Sequence, residues 1–206
     1  ALAQGQGGTC VVRPAQTEGP YFVDEKLTRA DIRSDPSTGL VSAGIPLSLG
    51  FAVSRLSGNA CTPLAGVLVD VWQCDEKGIY SGVKDPSFDT TGKKFLRGYQ
   101  TTDAKGMVRF TTVYPGWYQG RTVHIHFKLR TAPAAGAGKE FTSQVYFDDG
   151  FTDQVFTRVP YASRGARSTR NNQDGIFRRD GAQLMLAVSP DGPGYTTTFN
   201  VAMQGV

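Results

Sequence analysis

The sequence predicts an all-β fold, a single-domain β-sandwich or barrel of about eight mostly antiparallel strands with long loops between some of them. Short apolar stretches recur along the chain, turn residues separate them at regular spacing, and almost no segment has the period of a helix. The 25 glycines and 11 prolines supply the turns. Because the 206 residues contain no linker, repeat or low-complexity segment, we predict one domain over 1–206, with residues 1–9 weakly ordered.

Apolar patterning places the strands. Leu47, Leu49, Phe51 and Val53 alternate with other residues and therefore share one face of the first strand. Residues 64–74 are almost continuously apolar, which predicts a strand buried on both faces. The remaining strands follow from runs of β-branched and aromatic residues. The predicted strands are 47–56, 64–74, 95–102, 107–113, 121–130, 141–147, 183–189 and 195–203.

The connections between these strands differ in length. Asp103-Ala104-Lys105-Gly106 is predicted to be a hairpin turn that joins the strands on either side of it. Residues 25–44 are mostly polar and are predicted to be a surface excursion with one short helical turn near 28–33. The other predicted loops are a small-residue turn at 133–138 and two long segments, 75–95 and 148–180.

Six arginines lie in the second long loop. They could form an anion-binding surface, or they could be solvated side chains held by local ion pairs, each worth at most about 1 kcal/mol at a surface. The sequence favours the second interpretation. The residues are Arg158, Arg164, Arg167, Arg170, Arg178 and Arg179.

Composition argues against two classes of partner. The net charge of +4 is mild and no basic stripe interleaved with aromatic residues accompanies it, so we expect no nucleic acid. No run of about 18 apolar residues occurs, so we expect no membrane partner. The opening Ala-Leu-Ala either matches the small-residue pattern before a signal-peptidase cut or simply marks where this stretch of sequence begins.

Three cysteines, Cys10, Cys61 and Cys74, allow one disulfide and one free thiol. None lies in a C-x-x-C pair, so a thiolate zinc site is not expected. A strand over 64–74 would separate its ends by roughly 3.3 Å per residue, which makes Cys61–Cys74 a poor bridge. We predict Cys10–Cys61 first and Cys10–Cys74 second; three free thiols in a reducing compartment are the alternative.

Both histidines of the chain, His124 and His126, lie in one predicted strand. Residues i and i+2 of a strand point to the same side, as two ligands of one metal ion must. This spacing is shared by zinc, copper and iron sites, and no carboxylate lies nearby in sequence to complete a two-histidine, one-carboxylate site. Tyrosines lie nearby instead: Tyr80, Tyr114 and Tyr118.

Phenolate is a hard anion with a free pKa of about 10, and it is a good ligand only for a strongly acidic ion such as ferric iron. Two phenolates and one hydroxide would balance a 3+ charge, so the site could be buried without an unpaired charge. The histidine pair and the nearby tyrosines therefore indicate an iron site.

These residues belong to a set of segments that resembles the intradiol ring-cleavage dioxygenases. The segments occur in the family's order and cover most of the chain from about residue 10 to residue 150. The P-G-x-Y motif followed by R-x-x-H-x-H, with G-x-Y-S upstream, is specific. The matching segments are 17–21, 69–75 with 78–81, 95–98, 102–103 with 106, 115–118 and 121–127.

The resemblance implies a non-haem Fe(III) ion held by Tyr80, Tyr118, His124 and His126. In the family's geometry Tyr118 and His126 would be axial ligands, while Tyr80, His124 and a hydroxide would be equatorial. The activity implied is cleavage of catechols between the two hydroxyl-bearing carbons with O2, giving cis,cis-muconic acids. Tyr118 would serve as a base when the catechol binds as a dianion.

The resemblance also implies roles around the substrate. Arg121 would lie beside the substrate ring and stabilise the negative charge that develops there. Gln144 would line the same pocket and orient either Arg121 or the oxygen. Tyr21 and its Gly19-Pro20 turn would close over the site. The preferred catechol stays open, because the two long loops form the pocket wall.

The sequence departs from the family at two motifs. Trp117 replaces the second proline of P-G-P-Y, which predicts an indole in the wall of the substrate pocket, and W-H-A-N reads Trp72-Gln73-Cys74-Asp75 here. The compact, cysteine-bearing sequence is more similar to secreted members than to the intracellular enzymes, so we expect an extracellular protein. Whether it is a monomer, and whether a module beyond Val206 tethers it, is left open.

Two other classes compete with the enzyme. Residues 102–110 followed by 115–118 also have the rhythm of non-catalytic β-sandwich modules that serve as stalks or binding domains, but such modules have no reason to combine Tyr80, Arg121 and the histidine pair. A cupin-like metal enzyme would need a carboxylate ligand near the histidines.

Overall fold

The computed structural model describes residues 9–131 and 138–206, which form two large β-sheets packed face to face rather than a closed barrel, together with a small sheet of two strands, Lys84–Asp85 and Phe88–Asp89. This confirms the predicted all-β fold. The strands are β1 (Pro46–Ser57), β2 (Ala60–Pro63), β3 (Val67–Trp72), β4 (Lys84–Asp85), β5 (Phe88–Asp89), β6 (Arg97–Thr101), β7 (Met107–Val113), β8 (His124–Thr131), β9 (Glu140–Tyr146), β10 (Ser189–Asp191) and β11 (Gly194–Gln204).

The first sheet is built around β1. One edge of β1 pairs in parallel with β11 from Leu47 to Leu56, and β10 continues the sheet beyond β11. The other edge pairs antiparallel with β7 and then with β2. The β1–β11 pair is parallel, and the other strand pairs of both sheets in the described residues are antiparallel.

The second sheet has the order β6-β3-β8-β9 and carries the histidine strand in its interior. Its inner face packs on the first sheet through aromatic contacts: the Phe51 and Phe127 ring centroids lie 5.1 Å apart, and those of Phe127 and Phe199 lie 5.7 Å apart. All three rings are buried, so the middle of the sandwich is a continuous apolar layer.

The predicted hairpin at residues 103–106 is wrong. The turn itself forms, but β6 pairs with β3 and β7 pairs with β1, so the turn carries the chain from one sheet to the other. The Val53 amide donates to the Gly106 carbonyl at 2.8 Å, which draws the turn onto β1. Gly106 has a φ of +73°, and a Cβ there would overlap the Val53 carbonyl oxygen.

Residues 28–33 do not form the expected helical turn. Thr28 bridges Tyr99 of the second sheet and Asp31 bridges Thr111 of the first, so the segment is extended between the two sheets. Ile32 between them is fully buried. The segment therefore contacts both sheets and contributes Ile32 to the core, so it is not simply a surface excursion.

The chain after β9 also differs from expectation. The predicted loop 148–180 contains helix α1 (Asp149–Val155), which Asp148 caps by accepting from the Phe151 amide, and helix α2 (Phe177–Asp180). Residues 183–189 are not one strand, because the 3₁₀ turn Gly181–Leu184 takes its first residues, Met185 makes only an isolated bridge to Tyr146, and β10 begins at Ser189. The 3₁₀ turns are Tyr161–Arg164, Asn171–Gln173 and Gly181–Leu184.

Two predictions concern residues outside the described part of the chain: the weak order of 1–8 and most of the turn at 133–138. Within residues 9–131 and 138–206, none of the helices combines the length and apolar character needed to cross a membrane. The arginine-rich loop follows the solvated interpretation in part, since Arg167 pairs with Asp149 and Asp153, and Arg170 pairs with Asp153.

Candidate metal centre

Strand β8 sends alternate side chains to opposite sides of the second sheet. Ile125 and Phe127 enter the core between the sheets. His124 and His126 point to the other side, where they are nevertheless buried, and their Nε2 atoms lie 3.1 Å apart. The period of the strand thus brings both imidazoles to one point, as the sequence predicts.

Two loops bring phenols to the same point. Tyr80 follows β3 and Tyr118 precedes β8, and their Oη atoms lie 3.3 and 3.2 Å from His124 Nε2. The loops can approach this closely because of glycines: a Cβ on Gly78 would overlap the Trp117 carbonyl oxygen, and one on Gly116 would overlap the backbone of the loop before Tyr80. Two imidazoles and two phenols therefore converge around His124 Nε2.

The hydrogen bonds of the imidazoles leave lone pairs facing this point. His124 Nδ1 donates to the Thr122 carbonyl at 2.6 Å, so its Nε2 is unprotonated and faces the other donors. His126 Nδ1 is buried and has no partner among residues 9–131 and 138–206. The His126 ring is held by stacking on Trp72, with centroids 5.0 Å apart and planes 8° from parallel. A metal ion here could take the lone pair of His124 Nε2 and, with the His126 proton on Nδ1, that of His126 Nε2.

Burial determines the protonation of the four donors. Desolvation lowers the pKa of both histidines well below 6.5. Desolvation also raises the pKa of the Tyr80 phenol well above 10 and that of Tyr118 to about 12, although Arg121 opposes the second shift. Without a metal the four groups are neutral, and the phenols would ionise only against a strongly charged cation.

The donor set fits ferric iron. Within the described residues there is no cluster of three or more histidine, cysteine, aspartate or glutamate side chains that could hold a metal ion. A metal at the histidine pair would therefore need the phenols, and phenolate oxygen with imidazole nitrogen suits a hard trivalent ion better than the thiolate-preferring metals.

Arg121 connects this point to the next strand. Its guanidinium donates to Gln144 Oε1 at 2.5 Å through one terminal nitrogen, and its other terminal nitrogen lies 3.3 Å from His124 Nε2. Gln144 is fully buried on β9 and donates to the Thr17 carbonyl at 3.0 Å. The structure thus brings the predicted Arg121 and Gln144 together beside the four donors.

A comparison with known families agrees with this arrangement. The family model described as "Dioxygenase" matches residues 17–168 of the chain. This protein belongs to the intradiol ring-cleavage dioxygenase family. Members of the family use non-haem iron, and Tyr80, Tyr118, His124 and His126 all lie within the matched span.

Two curated relatives with different activities match the chain at similar identity. The protocatechuate 3,4-dioxygenase beta chain of Burkholderia cepacia is 30% identical over 167 residues, covering 75% of this chain and 69% of that one. Catechol 1,2-dioxygenase 2 of Acinetobacter lwoffii is 31% identical over 172 residues, covering 72% of this chain and 54% of that one. The chain thus spans about half the length of the catechol enzyme.

Solved structures of family members match almost the whole chain. An intradiol ring-cleavage dioxygenase from Tetranychus urticae has a TM-score of 0.82 at 30% identity and covers 96% of both chains. The dioxygenase domain of a dioxygenase and carbohydrate-binding protein fusion from Streptomyces sp. SirexAA-E has a TM-score of 0.67 at 33% identity, covering 95% of this chain and all of that one.

The N-terminal segment of this family member runs from the edge of the first sheet, where Val12 bridges Ala202 of β11, to the outer side of the second sheet. We call residues 10–24 the strap. The Gln16 amide donates to the Thr142 carbonyl, and Lys128 of β8 pairs with Glu18 while its Nζ lies 3.9 Å from the Phe22 ring centroid. A disulfide joins Cys10 to Cys61, which confirms the predicted pair, and Cys74 is a buried free thiol.

The strap reaches the four donors through the turn that the sequence singled out. A Cβ on Gly19 would lie 3.4 Å from His126 Cε1, and the Tyr21 ring stacks on Tyr80 with centroids 4.5 Å apart. Pro20 stands between them in the turn. The Tyr21 hydroxyl donates to Asp85 at 2.6 Å, in the small β4–β5 hairpin. The strap therefore lies over one side of the donor cluster.

Trp117 has a different environment from the one expected. Its indole packs against the edge of the sandwich core, and the Arg164 guanidinium lies 4.3 Å from the indole centroid. None of the described contacts joins the indole to the four donors, so its place in a pocket wall stays a prediction.

Sequence reasoning missed two carboxylates near the site. Asp85 holds the Tyr21 hydroxyl, and Asp174 is buried against Arg121. Both come from the long loops in which many charged residues occur, and no spacing in the sequence singles them out. Only the fold brings them to the site.

Proposed function

We propose that this protein is an extracellular, non-haem iron(III) intradiol dioxygenase that cleaves catechols between the two hydroxyl-bearing carbons with O2 to give cis,cis-muconic acids. The observation that carries the proposal is the convergence of the Tyr80 and Tyr118 hydroxyls and of His126 Nε2 within 3.1–3.3 Å of His124 Nε2. These are donors of the kind that a ferric ion prefers, at one buried point.

Tyr80, Tyr118, His124 and His126 would hold the ion. Ionised Tyr80 and Tyr118 would contribute two negative charges, which with one hydroxide balance the 3+ charge in a buried site. When bound, ferric iron would withdraw electron density from a chelated catechol and so make its ring reactive toward O2.

The side chains around the ion have separate tasks in this proposal. Tyr118 Oη would accept a proton from the incoming catechol, since burial raises the pKa of the metal-free phenol to about 12 and so favours its protonated form. Arg121, beside His124 Nε2, places a fixed positive charge where negative charge develops on the substrate. Gln144 accepts a hydrogen bond from one terminal nitrogen of Arg121 and so contributes to its orientation.

The strap and the β4–β5 hairpin would shield this chemistry from water. Tyr21 covers the Tyr80 ring, and its hydroxyl is fixed by Asp85. Desolvation around the donors strengthens each electrostatic interaction there. Gly19 and Pro20 would form the part of the wall nearest His126, and we assign the substrate-binding role to this turn together with Tyr21 and Trp117.

Two features support the remaining parts of the proposal. The Cys10–Cys61 disulfide is typical of oxidising compartments and supports an extracellular location. The name of the curated relative in Acinetobacter lwoffii supports catechol as the substrate class. We treat 1–206 as one catalytic domain, acting on a small aromatic substrate and O2 without nucleic acid or membrane.

A visible absorption spectrum of the iron-reconstituted protein, before and after anaerobic catechol, tests the proposal. We expect a broad phenolate-to-iron charge-transfer band that shifts to longer wavelength with catechol, and muconate after O2 is admitted. Tyr80→Phe and Tyr118→Phe should each change the band, while Tyr195→Phe, a tyrosine on β11, should not. A protein that stays colourless after reconstitution would instead favour a non-catalytic β-sandwich module.

A further inference from the structure

Asp174 is a buried carboxylate that the proposed chemistry has not yet used. It follows the 3₁₀ turn Asn171–Gln173, and its side chain is only 1% exposed. A buried carboxylate is costly unless it is paired and hydrogen-bonded. The partners of Asp174 therefore indicate why it is there.

Backbone amides fix this carboxylate from two sides. Its Oδ1 accepts from the amides of Ile176 and Phe177 at 2.8 and 3.1 Å, and its Oδ2 accepts from the Thr122 amide at 2.9 Å. Because amides cannot move without the backbone, the position of the carboxylate is set by the loop and by the start of β8.

The loop itself is tied to the same region. The Thr122 hydroxyl donates to Asn171 Oδ1 at 2.5 Å, and Asn171 Nδ2 donates to the Phe147 carbonyl at 2.9 Å. All of these groups are buried. The 171–177 segment is thus a rigid support behind the first residues of the histidine strand.

The remaining partner of Asp174 is Arg121. Arg121 Nε donates to Asp174 Oδ2 at 2.8 Å, and the Arg121 side chain is 16% exposed. The same guanidinium reaches Gln144 with one terminal nitrogen and approaches His124 Nε2 with the other. A planar guanidinium held at Nε by one residue and at one terminal nitrogen by another has its plane and direction fixed.

Gln144 alone would not fix the guanidinium in this way. Gln144 Oε1 accepts from one terminal nitrogen of Arg121, and a single contact leaves the guanidinium free to rotate about it. Asp174 supplies the second point of attachment and a compensating negative charge.

We propose that Asp174 is the positioning residue that aims Arg121 at the donor cluster, beside His124 Nε2. The proposal rests on the proposed function, since Arg121 acts there on the substrate. The family model ends at residue 168, so Asp174 lies beyond the matched span.

Asp174→Asn is the variant that tests this role. Asn can still accept from the Ile176 and Phe177 amides, but it turns a donor toward Arg121 Nε and toward the Thr122 amide. Its matched control is Asp153→Asn, which also removes a carboxylate paired with arginines in the 148–180 segment, but away from the donor cluster. In iron-reconstituted protein we expect Asp174→Asn to keep the charge-transfer band and to lose about 100-fold in kcat, with KM changing much less.

A double-mutant cycle separates positioning from a structural effect. If Asp174 acts through Arg121, then Asp174→Asn added to Arg121→Lys should lower kcat by less than about threefold further. A full additional loss in that background, or a loss in Asp174→Asn no greater than in Asp153→Asn, would overturn the proposal. So would loss of the charge-transfer band together with activity.

The Arg121 Nε–H resonance provides a readout that needs no turnover. In protein loaded with Ga(III), a diamagnetic trivalent ion, we expect this proton to exchange slowly in the unmodified protein and rapidly in Asp174→Asn. Rapid exchange in the unmodified protein would itself contradict the proposal, even if the variant does not fold. If the resonance behaves as expected but no catechol is cleaved, the proposed function fails and the positioning role survives.

Discussion

The two faces of strand β8 are both buried, but for different reasons. On the inner face Ile125, Phe127 and Leu129 are covered by the opposite sheet, and their partners are apolar. On the outer face His124, His126 and Lys128 are covered by the strap and two loops, and their partners are phenols, carboxylates and backbone groups.

The comparison shows how one strand separates stability from chemistry. The inner face gains stability from apolar area that leaves water, in proportion to the area buried. The outer face keeps polar groups dry, which costs free energy unless each has a partner. The strap is therefore a cover that the donor cluster requires, while the core requires only the second sheet. The following predictions test this division.

The largest expected effect is on the inner face. Phe127→Ala should lower the free energy of unfolding by about 3–5 kcal/mol, because the Phe127 ring packs against Phe51 and Phe199 and its removal would leave a cavity. Urea unfolding measures this, and the folded variant should retain the iron charge-transfer band. Phe22→Ala, which removes a half-buried ring of the strap, is the matched outer-face variant and should cost less. Equal costs would contradict the division between the faces.

The next effect concerns the anchor of the strap. Replacing both Cys10 and Cys61 by serine should lower the free energy of unfolding by about 2–4 kcal/mol, because the bridge closes a long loop in the unfolded chain. The strap should also become the first site of cleavage in limited proteolysis. Cys74→Ala, which removes the free thiol, should leave that cleavage pattern unchanged. A strap that stays resistant without the disulfide would show that its other contacts suffice.

The smallest effect is the pH dependence of the metal-free protein. Burial holds the pKa of His124 and His126 well below 6.5, so below that pH the unfolded chain binds protons that the folded chain does not. Stability should thus be full above pH 6.5 and fall with decreasing pH, with a slope approaching about 1.4 kcal/mol per pH unit for each histidine.

Thermal unfolding of metal-free protein between pH 7.5 and pH 5.5 measures this slope. His124→Gln should remove about half of it. A midpoint that does not change over this range would mean that the outer face admits water when no metal is bound.

The sequence could predict where individual strands lie, but not which strands they pair with. The predicted strand 107–113 coincides with the observed β7, since a run of β-branched and aromatic residues is a local property. The hairpin expected at 103–106 failed because local turn chemistry does not specify which sheet the next strand joins. Ile32 was missed for a similar reason: one apolar residue among polar ones has no period.

The sequence predicted the four donor side chains of the candidate site, but it did not predict the residues that hold Arg121 in place beside them. The histidine pair and the two tyrosines lie in motifs with fixed spacing, and the structure brings all four together. Their roles as ligands stay predictions. Asp174 gave no signal, because an aspartate in an arginine-rich loop is usually solvated and only the approach of Thr122 and Arg121 buries it.

The parallel β1–β11 pair joins an early and a late part of the chain, which has a consequence for folding during synthesis. Leu47 pairs with Tyr195, and Thr17 in the strap receives a hydrogen bond from Gln144, so both sheets depend on contacts between distant parts of the chain. Such contacts require the closure of long loops before they contribute stability, and chains rich in them fold slowly. During translation β1 emerges long before β11 exists, and one of its edges stays open until the ribosome has passed residue 204. That edge of β1 therefore lacks its native strand partner for most of the synthesis.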